Sequence, residues 1–524
     1  MDVLSNPMLL GCSCNFAVFV VWIVIGLSAK KEKRKYHPVR GTIFHLLFNF
    51  RQIYDYLTDL TRKNSTFRIL YLDNVEIYTS DPANVEYFLK TNFANYGKVR
   101  FYAILDYDLE EDMVFSLWKS CLLCTFCKYT GVMWGRSTTT LEGLLGDGIF
   151  TVDGERWRHQ RKMSSYEFST RNLREFSSGV FKTNAAKLAR IVSAAVTSDQ
   201  TIEIQDLFMK SALDSVFKVV LGVDLDSMRG TNEGSQFSKA FDEASEMTCF
   251  RYVDMTWPIK KFLNIGSEAT LKKCMKIVDG FVYKVIQSKI EQTSRPNENL
   301  TETDPKYLKD IILSFIIAGK DTTASTLSWF FYMMCKHPHI QEKIVREVWE
   351  AAKLGEYSSV DEIAESITEE ALDKMQYLHA ALSETLRLYP AVPSDGKVCF
   401  ADDTFPDGFS VKKGNLVAYV PYSMGRMKSL WGEDAEEFRP ERWLNENGVF
   451  QQESSFKFTA FQAGPRICLG KEFAYRQMKV FASVLLSAFS FTLADENRPV
   501  HYRTMLTLQI DGGLHLRPSF RTSH

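Results

Sequence analysis

The feature that most constrains the fold of this chain is a very long stretch with the periodicity of α-helices. From about residue 173 to residue 389, apolar residues recur at spacings of three and four. Strand signals lie outside this stretch, as a hairpin at residues 67–71 and 75–79 and again between residues 398 and 422. Residues 507–516 carry Asp511-Gly512-Gly513 between apolar runs, which predicts a C-terminal β-hairpin. We therefore predict a mainly α fold with small β-sheets towards both ends.

The N-terminal region predicts a single membrane anchor. Residues 8–29 form an uncharged run of 22 residues, which is long enough to cross a bilayer as one helix. Five basic residues follow the run within 30–35, and only Asp2 carries a charge before it, so the basic flank is expected in the cytoplasm. A cleaved signal peptide is the alternative, but its positive charges would precede a shorter apolar run.

Net charge and cysteine content give no indication of a nucleic-acid-binding or disulfide-stabilised protein. The chain has 63 Lys and Arg against 64 Asp and Glu, and a net charge of −1 gives no indication of a nucleic-acid partner. Half of its ten cysteines are isolated in the sequence, which suits reduced thiols in a body that faces the cytosol.

One of these cysteines lies in a loop whose composition suits a metal-bound thiolate. The loop reads FQAGPRICLG, from Phe461 to Gly470, and an apolar helical run follows it to about residue 489. Backbone N–H groups of the loop and the helix N-terminus would stabilise a negative sulfur on Cys468. Gly464 and Gly470 would let the backbone approach a flat ligand, and Arg466 is placed to meet an anion. A buried structural cysteine is the alternative.

The loop resembles the heme-binding loop of the cytochrome P450 family. The resemblance implies that Cys468 is the axial ligand of heme b, with Phe461, Gly464, Arg466 and Gly470 around the cofactor. A thiolate ligand pushes electron density onto the iron and favours O–O cleavage. The implied activity is that of a heme-thiolate monooxygenase, which receives electrons from NADPH through a flavoprotein reductase and inserts one oxygen atom of O2 into a C–H bond.

A second segment, AGKDTT at residues 318–323, lies inside an apolar helical run from about residue 307 to residue 334. Glycine and adjacent threonines are poor helix formers, so we predict a local distortion of the helix there. A regular helix with a tolerated glycine is the alternative. The segment resembles the I-helix of the family, which implies that Asp321 and Thr322 form the acid–alcohol pair that delivers protons for oxygen activation.

Two further segments fit the same family. Glu384 and Arg387 share a helix face, and with Arg442 of the segment FRPERW they resemble the structural triad that holds the core behind the heme. Trp157 and Arg161 resemble the C-helix pair that binds a heme propionate through N–H donors. Four basic residues surround this pair and form either a docking surface for the acidic reductase or a solvated face: Arg156, Arg158, His159 and Lys162.

The amino-acid sequences of these segments resemble the plant branch of the family that hydroxylates long-chain fatty acids at the ω position. This resemblance implies a fatty-acid substrate and a single-pass protein of the endoplasmic reticulum membrane whose catalytic domain faces the cytosol. A heme-thiolate enzyme for another lipophilic substrate is the alternative. The expected organisation is a luminal N-terminus (1–7), an anchor (8–29), a basic flank and hinge (30–41), a β-rich part (42–98), an insertion (99–140) and the heme-binding domain (141–524).

The insertion at residues 99–140 fits none of these patterns. It has no consistent helical or strand period, and it is far longer than most connections in a compact domain. Its first residues, Val99-Arg100, are what an unspliced GTAAGA donor would encode in frame. We interpret it as a retained intron, which would inactivate or alter the heme protein. A genuine membrane-associating insertion, with Trp118 and Trp134, is the alternative.

Overall fold

The computed structural model describes residues 35–71, 74–98, 138–169, 171–230, 232–252, 254, 256–293, 304–355 and 359–521. The predicted anchor at 8–29 and residues 99–137 of the predicted insertion lie outside these ranges, and both stay predictions. Within these ranges, no helix is both long enough and apolar enough to cross a membrane.

Helices make up most of the described chain, and we label them α1 to α18 in order. They are α1 (Ile43–Phe48), α2 (Ile53–Lys63), α3 (Pro82–Glu86), α4 (Thr138–Leu145), α5 (Gly154–Ser169), α6 (Arg171–Thr197), α7 (Ile204–Val216), α8 (Asn232–Phe250), α9 (Trp257–Leu263), α10 (Gly266–Thr293), α11 (Pro305–Lys336), α12 (Pro338–Ala352), α13 (Val360–Ser366), α14 (Glu369–Lys374), α15 (Gln376–Leu388), α16 (Pro421–Met424), α17 (Lys428–Trp431) and α18 (Lys471–Ala488). The predicted helical stretch corresponds to α6 through α15, so the mainly α prediction is confirmed.

The strands are short and are labelled β1 to β13. They are β1 (Val39–Thr42), β2 (Thr66–Leu70), β3 (Val75–Thr79), β4 (Tyr96–Gly97), β5 (Ile202–Glu203), β6 (Asp395–Cys399), β7 (Asp403–Thr404), β8 (Ser410–Val411), β9 (Leu416–Tyr419), β10 (Phe489–Leu493), β11 (Tyr502–Arg503), β12 (Gln509–Ile510) and β13 (His515–Phe520). One sheet has the order β1-β2-β3-β9-β6-β4. In it β2 and β3 pair antiparallel, which confirms the predicted N-terminal hairpin.

The predicted C-terminal hairpin is wrong. Strand β12 pairs antiparallel with β11, whereas β13 pairs with β10 on one side and with β5 on the other. Gly512 and Gly513 both have positive φ, and the chain that leaves them binds Glu203 of β5: the Leu514 N–H donates to Glu203 Oε1 at 3.0 Å. A Cβ atom on Gly513 would lie 2.7 Å from that carboxylate. The glycine turn therefore redirects the chain to a distant partner instead of folding it back on itself.

Helix α11 runs through the core and belongs to both of its large apolar clusters. Asp304 caps its N-terminus, with a side chain that accepts from the Lys306 N–H at 2.9 Å, and Pro305 lies in the first turn. The first cluster joins α11 to α6, α15 and α18 through buried residues that include Phe181, Phe331, Leu382 and Leu485. The second joins α11 to α7, α8 and α10 through Leu213, Phe241, Val278 and Leu313. Each such side chain contributes about 1.5–3 kcal/mol by burial, so α11 is firmly fixed on both sides.

Candidate active site

The cysteine loop, from Phe461 to Gly470, directly precedes α18. The Cys468 N–H donates to the Phe461 carbonyl at 2.8 Å, and the Ile467 N–H donates to the Gly464 carbonyl at 3.0 Å, so the loop is closed by its own backbone. Gly464 has a φ of +66°, and a Cβ atom there would lie 2.1 Å from the Leu89 carbonyl oxygen. The close approach that Gly464 permits is therefore to this backbone carbonyl, a contact that the sequence did not indicate.

The exposure of the Cys468 thiol and the direction of its pKa shift together indicate that it borders an internal space. Its side chain is accessible to solvent, yet burial raises its pKa, and both hold for a group deep in the protein that lines a cavity. The Gly470 N–H donates to the sulfur, and the positive charges of Arg161 and Lys471 act in the same direction, favouring the thiolate. A bound metal cation would stabilise the thiolate further, because a coordinated thiol loses its proton.

Basic groups with unused donors lie beside the cysteine loop. Arg466 donates through Nη2 to the Val152 carbonyl at 3.1 Å and to Asp153, but its buried Nε has no hydrogen-bond partner among the described residues. Its guanidinium stacks on the Trp157 ring, 4.4 Å from the centroid. Burial lowers the pKa of both Arg466 and Arg161, so an anionic ligand would stabilise their charges.

Lys397 on β6 joins this group and was missed from the sequence. It is 0% exposed, and its Nζ has no hydrogen-bond partner in the described chain. The nearest carboxylate, Asp395, is 3.8 Å away and already accepts from Lys98 at 2.9 Å. Burial lowers the pKa of Lys397 well below its ordinary value. A lysine in a short strand carries no motif, so only the fold reveals that Lys397 lies near Arg466.

The groups around Cys468 suit heme b. Heme b carries two propionates, and the site offers two buried donors that have no hydrogen-bond partner among the described residues, Arg466 Nε and Lys397 Nζ. It also offers an accessible sulfur with a backbone N–H directed at it. The donor set therefore suits an anionic, planar cofactor with a metal that accepts a thiolate.

Helix α11 presents a half-buried stripe towards this space. Phe315, Ala318 and Thr322 are partly accessible, at helical spacing, along a helix whose other neighbouring residues are mostly buried. The Phe168 ring links the stripe to the cysteine loop: it lies 5.9 Å from the Phe315 ring, and it lies 4.0 Å from the position of a Cβ atom on Gly470. Phe168 therefore lies between Phe315 of the stripe and the cysteine loop, and we infer that the stripe faces the same interior region as the thiol.

The predicted distortion of α11 is wrong. The helix is continuous from Pro305 to Lys336, and the presence of Gly319 is explained by packing against another helix. A Cβ atom on Gly319 would lie 2.4 Å from the Val216 side chain, so the glycine allows α7 to pack closely on α11. The Thr322 hydroxyl donates to the Ala318 carbonyl at 2.5 Å, within the same helix.

Asp321 and Thr322 are adjacent in sequence but point to different surroundings. Asp321 is 3% exposed and accepts a hydrogen bond from Lys320 at 2.7 Å. Burial raises its pKa, a nearby carboxylate adds to the shift, and Lys320 opposes it. Thr322 belongs to the half-buried stripe. The structure therefore has a buried acid with a raised pKa and a half-buried alcohol at successive positions of α11, in different surroundings.

Glu384, Arg387 and Arg442 come together as one buried group. Arg387 binds Glu384 through two hydrogen bonds of 2.7 Å, and Arg442 Nε donates to Glu384 at 3.4 Å. Trp443 Nε1 also donates to Glu384, at 2.9 Å, and was not singled out from the sequence. Arg387 Nη2 donates to the Glu437 carbonyl at 3.0 Å, which ties α15 to the segment before the cysteine loop.

The basic residues of α5 form an exposed face. Trp157 is buried on this helix and Arg161 is half-buried, whereas four cationic or titratable residues are exposed: Arg156, Arg158, His159 and Lys162. Arg158 pairs with Glu155 within the helix, and Arg156 lies 3.6 Å from Asp147. Both interpretations of this face, docking surface and solvated face, agree with that exposure.

Comparison with known proteins gives a consistent result along the chain. The family model described as Cytochrome P450 matches residues 123–516. The chain is 45% identical to cytochrome P450 704C1 of Pinus taeda, over 98% of this chain and 97% of that protein. It is 40% identical to cytochrome P450 704B1 of Arabidopsis thaliana, over 96% and 98%, and 34% identical to cytochrome P450 94A1 of Vicia sativa, over 91% and 89%.

Proposed function

Because the chain belongs to the cytochrome P450 family, we propose that it hydroxylates a long-chain fatty acid at or near its terminal methyl group. The family uses heme, with electrons from NADPH through a partner reductase, and its members are monooxygenases. The observation that carries the finer proposal is the resemblance of the segments around Asp321 and Cys468 to the plant ω-hydroxylase branch.

We assign the binding of heme to the loop and to the basic groups beside it. Bound heme supplies the oxygen-activating iron, whose electron density a thiolate ligand raises. Cys468 would hold the iron, with the Gly470 N–H stabilising the negative sulfur. Arg466, Arg161 and Lys397 would hold the propionates, and Trp157 keeps the Arg466 guanidinium in place by stacking.

We assign proton delivery to Asp321 and Thr322. The raised pKa of Asp321 lets it hold a proton at higher pH than an ordinary carboxyl group. Thr322 lies one residue further along the helix, on the stripe that borders the interior space. In this proposal a proton held on Asp321 passes to the Thr322 side of the helix.

The substrate orientation follows from the cost of burying a charge. Arg251, a buried arginine between α8 and α10, already binds Glu268, with two hydrogen bonds of 2.7 Å, and the Thr140 carbonyl at 3.0 Å. It is therefore not available for a substrate carboxylate. A fatty acid would enter with its methyl end towards the apolar residues Phe315 and Ala318, because an unpaired carboxylate is costly to bury.

The proposed setting is the endoplasmic reticulum membrane, with residues 8–29 as the anchor and the catalytic domain in the cytosol. The exposed basic face of α5 would bind an acidic surface of the reductase. Both proposals rest on charge patterns: the basic flank at 30–35 after the apolar run, and the exposed cations around Trp157.

The test is a substrate panel with microsomes that contain this protein and a reductase. We expect NADPH-dependent formation of terminal hydroxy acids from long-chain fatty acids. Turnover of terpenoids or phenolics without any fatty-acid product would contradict the proposed substrate. Absence of the red-shifted ferrous–CO band that a thiolate ligand produces would contradict the proposed heme ligand itself.

A further inference from the structure

A buried lysine on α11 lies between two carboxylates. The Lys320 side chain is fully buried, and its Nζ donates to Asp321 at 2.7 Å and to Asp242 of α8. The Phe241 ring faces the ammonium, 5.7 Å from its centroid. A buried ammonium persists only when it is paired, so both carboxylates contribute to holding Lys320 in the core.

The two carboxylates differ strongly in their access to water. Asp321 is 3% exposed, whereas the Asp242 side chain is 45% exposed. Within the described part of the chain, the charged groups that act on the Asp321 carboxylate are Lys320 and Asp242, and α7 faces this part of α11 with the apolar Val216. One ammonium cannot neutralise two carboxylates, so the cluster carries a surplus negative charge that favours uptake of a proton.

We propose that Lys320 and Asp242 are positioning residues that allow Asp321 to take up a proton from solvent and present it to the Thr322 side of α11. The inference rests on the proton-delivery role proposed for Asp321. When Asp321 is ionised, Lys320 is shared between the two carboxylates. When Asp321 binds a proton, the ammonium pairs with Asp242 alone and its charge stays compensated.

The proton balance of this exchange is closed. One proton enters from water, resides on Asp321 and leaves towards Thr322, and the Asp321 carboxylate then returns to Lys320. Without Asp242, Lys320 would have Asp321 as its sole carboxylate partner and would hold it ionised. Asp242 therefore acts on the reaction through Lys320, from a different helix.

The direct test is a pH titration of the Asp321 carboxyl group in the full-length, heme-loaded protein by infrared difference spectroscopy. The carbonyl band of the protonated group is assigned by its loss in Asp321→Asn. We expect Asp242→Asn to lower the Asp321 pKa by about one unit and Lys320→Met to raise it, because they remove opposite charges. A purely structural role would not produce shifts of opposite sign.

Two further variants control for the change of charge and for folding. Glu243→Gln alters a carboxylate on the same helix that is exposed and bonds Cys274 rather than Lys320, and it should leave the titration unchanged. Lys320→Arg keeps the charge and should keep the pKa close to that of the wild type. Since Asp242 is half exposed, Asp242→Asn tests the inference even if Lys320→Met fails to fold.

A second readout links the titration to turnover. Asp242→Asn should reduce product formed per NADPH severalfold, with the loss greatest at alkaline pH, and Asp242→Asn should add little in an Asp321→Asn background. An unchanged or raised Asp321 pKa in Asp242→Asn would overturn the inference. If the pKa shifts occur but Asp321→Asn forms as much product per NADPH as the wild type, the proposed proton-delivery role of Asp321 is wrong. The effect of Asp242 and Lys320 on the Asp321 pKa then has no catalytic consequence.

Discussion

Replacing Lys397 with methionine should weaken heme retention without unfolding the protein. Lys397 is fully buried and lacks a hydrogen-bond partner among the described residues, so an anionic group of heme would be its first hydrogen-bond partner. A hydrogen bond to a charged group contributes about 1.5–3 kcal/mol, which corresponds to roughly a ten- to hundredfold loss of heme affinity. Methionine has similar length and removes the cost of burying the ammonium, so the fold itself should not be destabilised.

We also expect heme retention to depend on pH, with weaker binding at higher pH. Burial lowers the pKa of Lys397 well below 10.5 in the protein without heme, and a bound propionate would raise the pKa again. Heme binding then takes up a proton between those two pKa values, so heme affinity falls as pH rises through that interval. Lys397→Met should abolish this part of the dependence.

The assay is the rate of heme transfer to excess apomyoglobin, measured across pH for both proteins. Lys479→Met is a matched control, since Lys479 is also buried, with its pKa lowered to about 8, but donates to the Leu372 carbonyl. It should leave heme transfer unchanged. Equal transfer rates for wild type and Lys397→Met at every pH would refute the argument that Lys397 binds the cofactor.

Four other predictions concern the site and its surroundings. Cys468→Ser should keep the fold but lose the red-shifted ferrous–CO band; a retained band would exclude Cys468 as the ligand. Thr322→Ala should consume NADPH with peroxide in place of product, and unchanged coupling would contradict its role. Glu384→Gln should lower the free energy of unfolding by about 3–5 kcal/mol, because it leaves the buried Arg387 charge unpaired. A much smaller loss of stability in thermal unfolding would contradict this expectation. Deleting residues 99–137 should raise heme incorporation, and full activity that is lost on deletion would contradict the retained-intron interpretation.

Local sequence signals predicted the parts of the fold that depend on neighbouring residues. The loop around Cys468, the hairpin of β2 and β3 and the long helix α11 each have their determinants within one segment. The same local reasoning failed for β13, because its partners β10 and β5 come from distant segments.

The site was predicted only where it coincides with a motif. Lys397, Trp443 and the pair of Lys320 with Asp242 are brought to their places by contacts between separate elements, and no spacing in the sequence reveals them. Gly319 illustrates a related error: its presence in a helix indicated distortion, but its reason is the Val216 side chain of another helix. A single sequence contains the residue but not the neighbour that explains it.

The residues that flank the predicted insertion are held by contacts with other parts of the protein. Lys98 is tied to Asp395, and the Thr140 carbonyl accepts from Arg251. In general, the conformational entropy lost on closing a flexible connection between two fixed ends grows only with the logarithm of its length, by about 0.6 kcal/mol for each doubling. A connection several times longer than usual therefore costs the catalytic domain only a few kcal/mol at most. Thr138 and Thr140 already belong to α4, so the insertion as the fold defines it ends before residue 138.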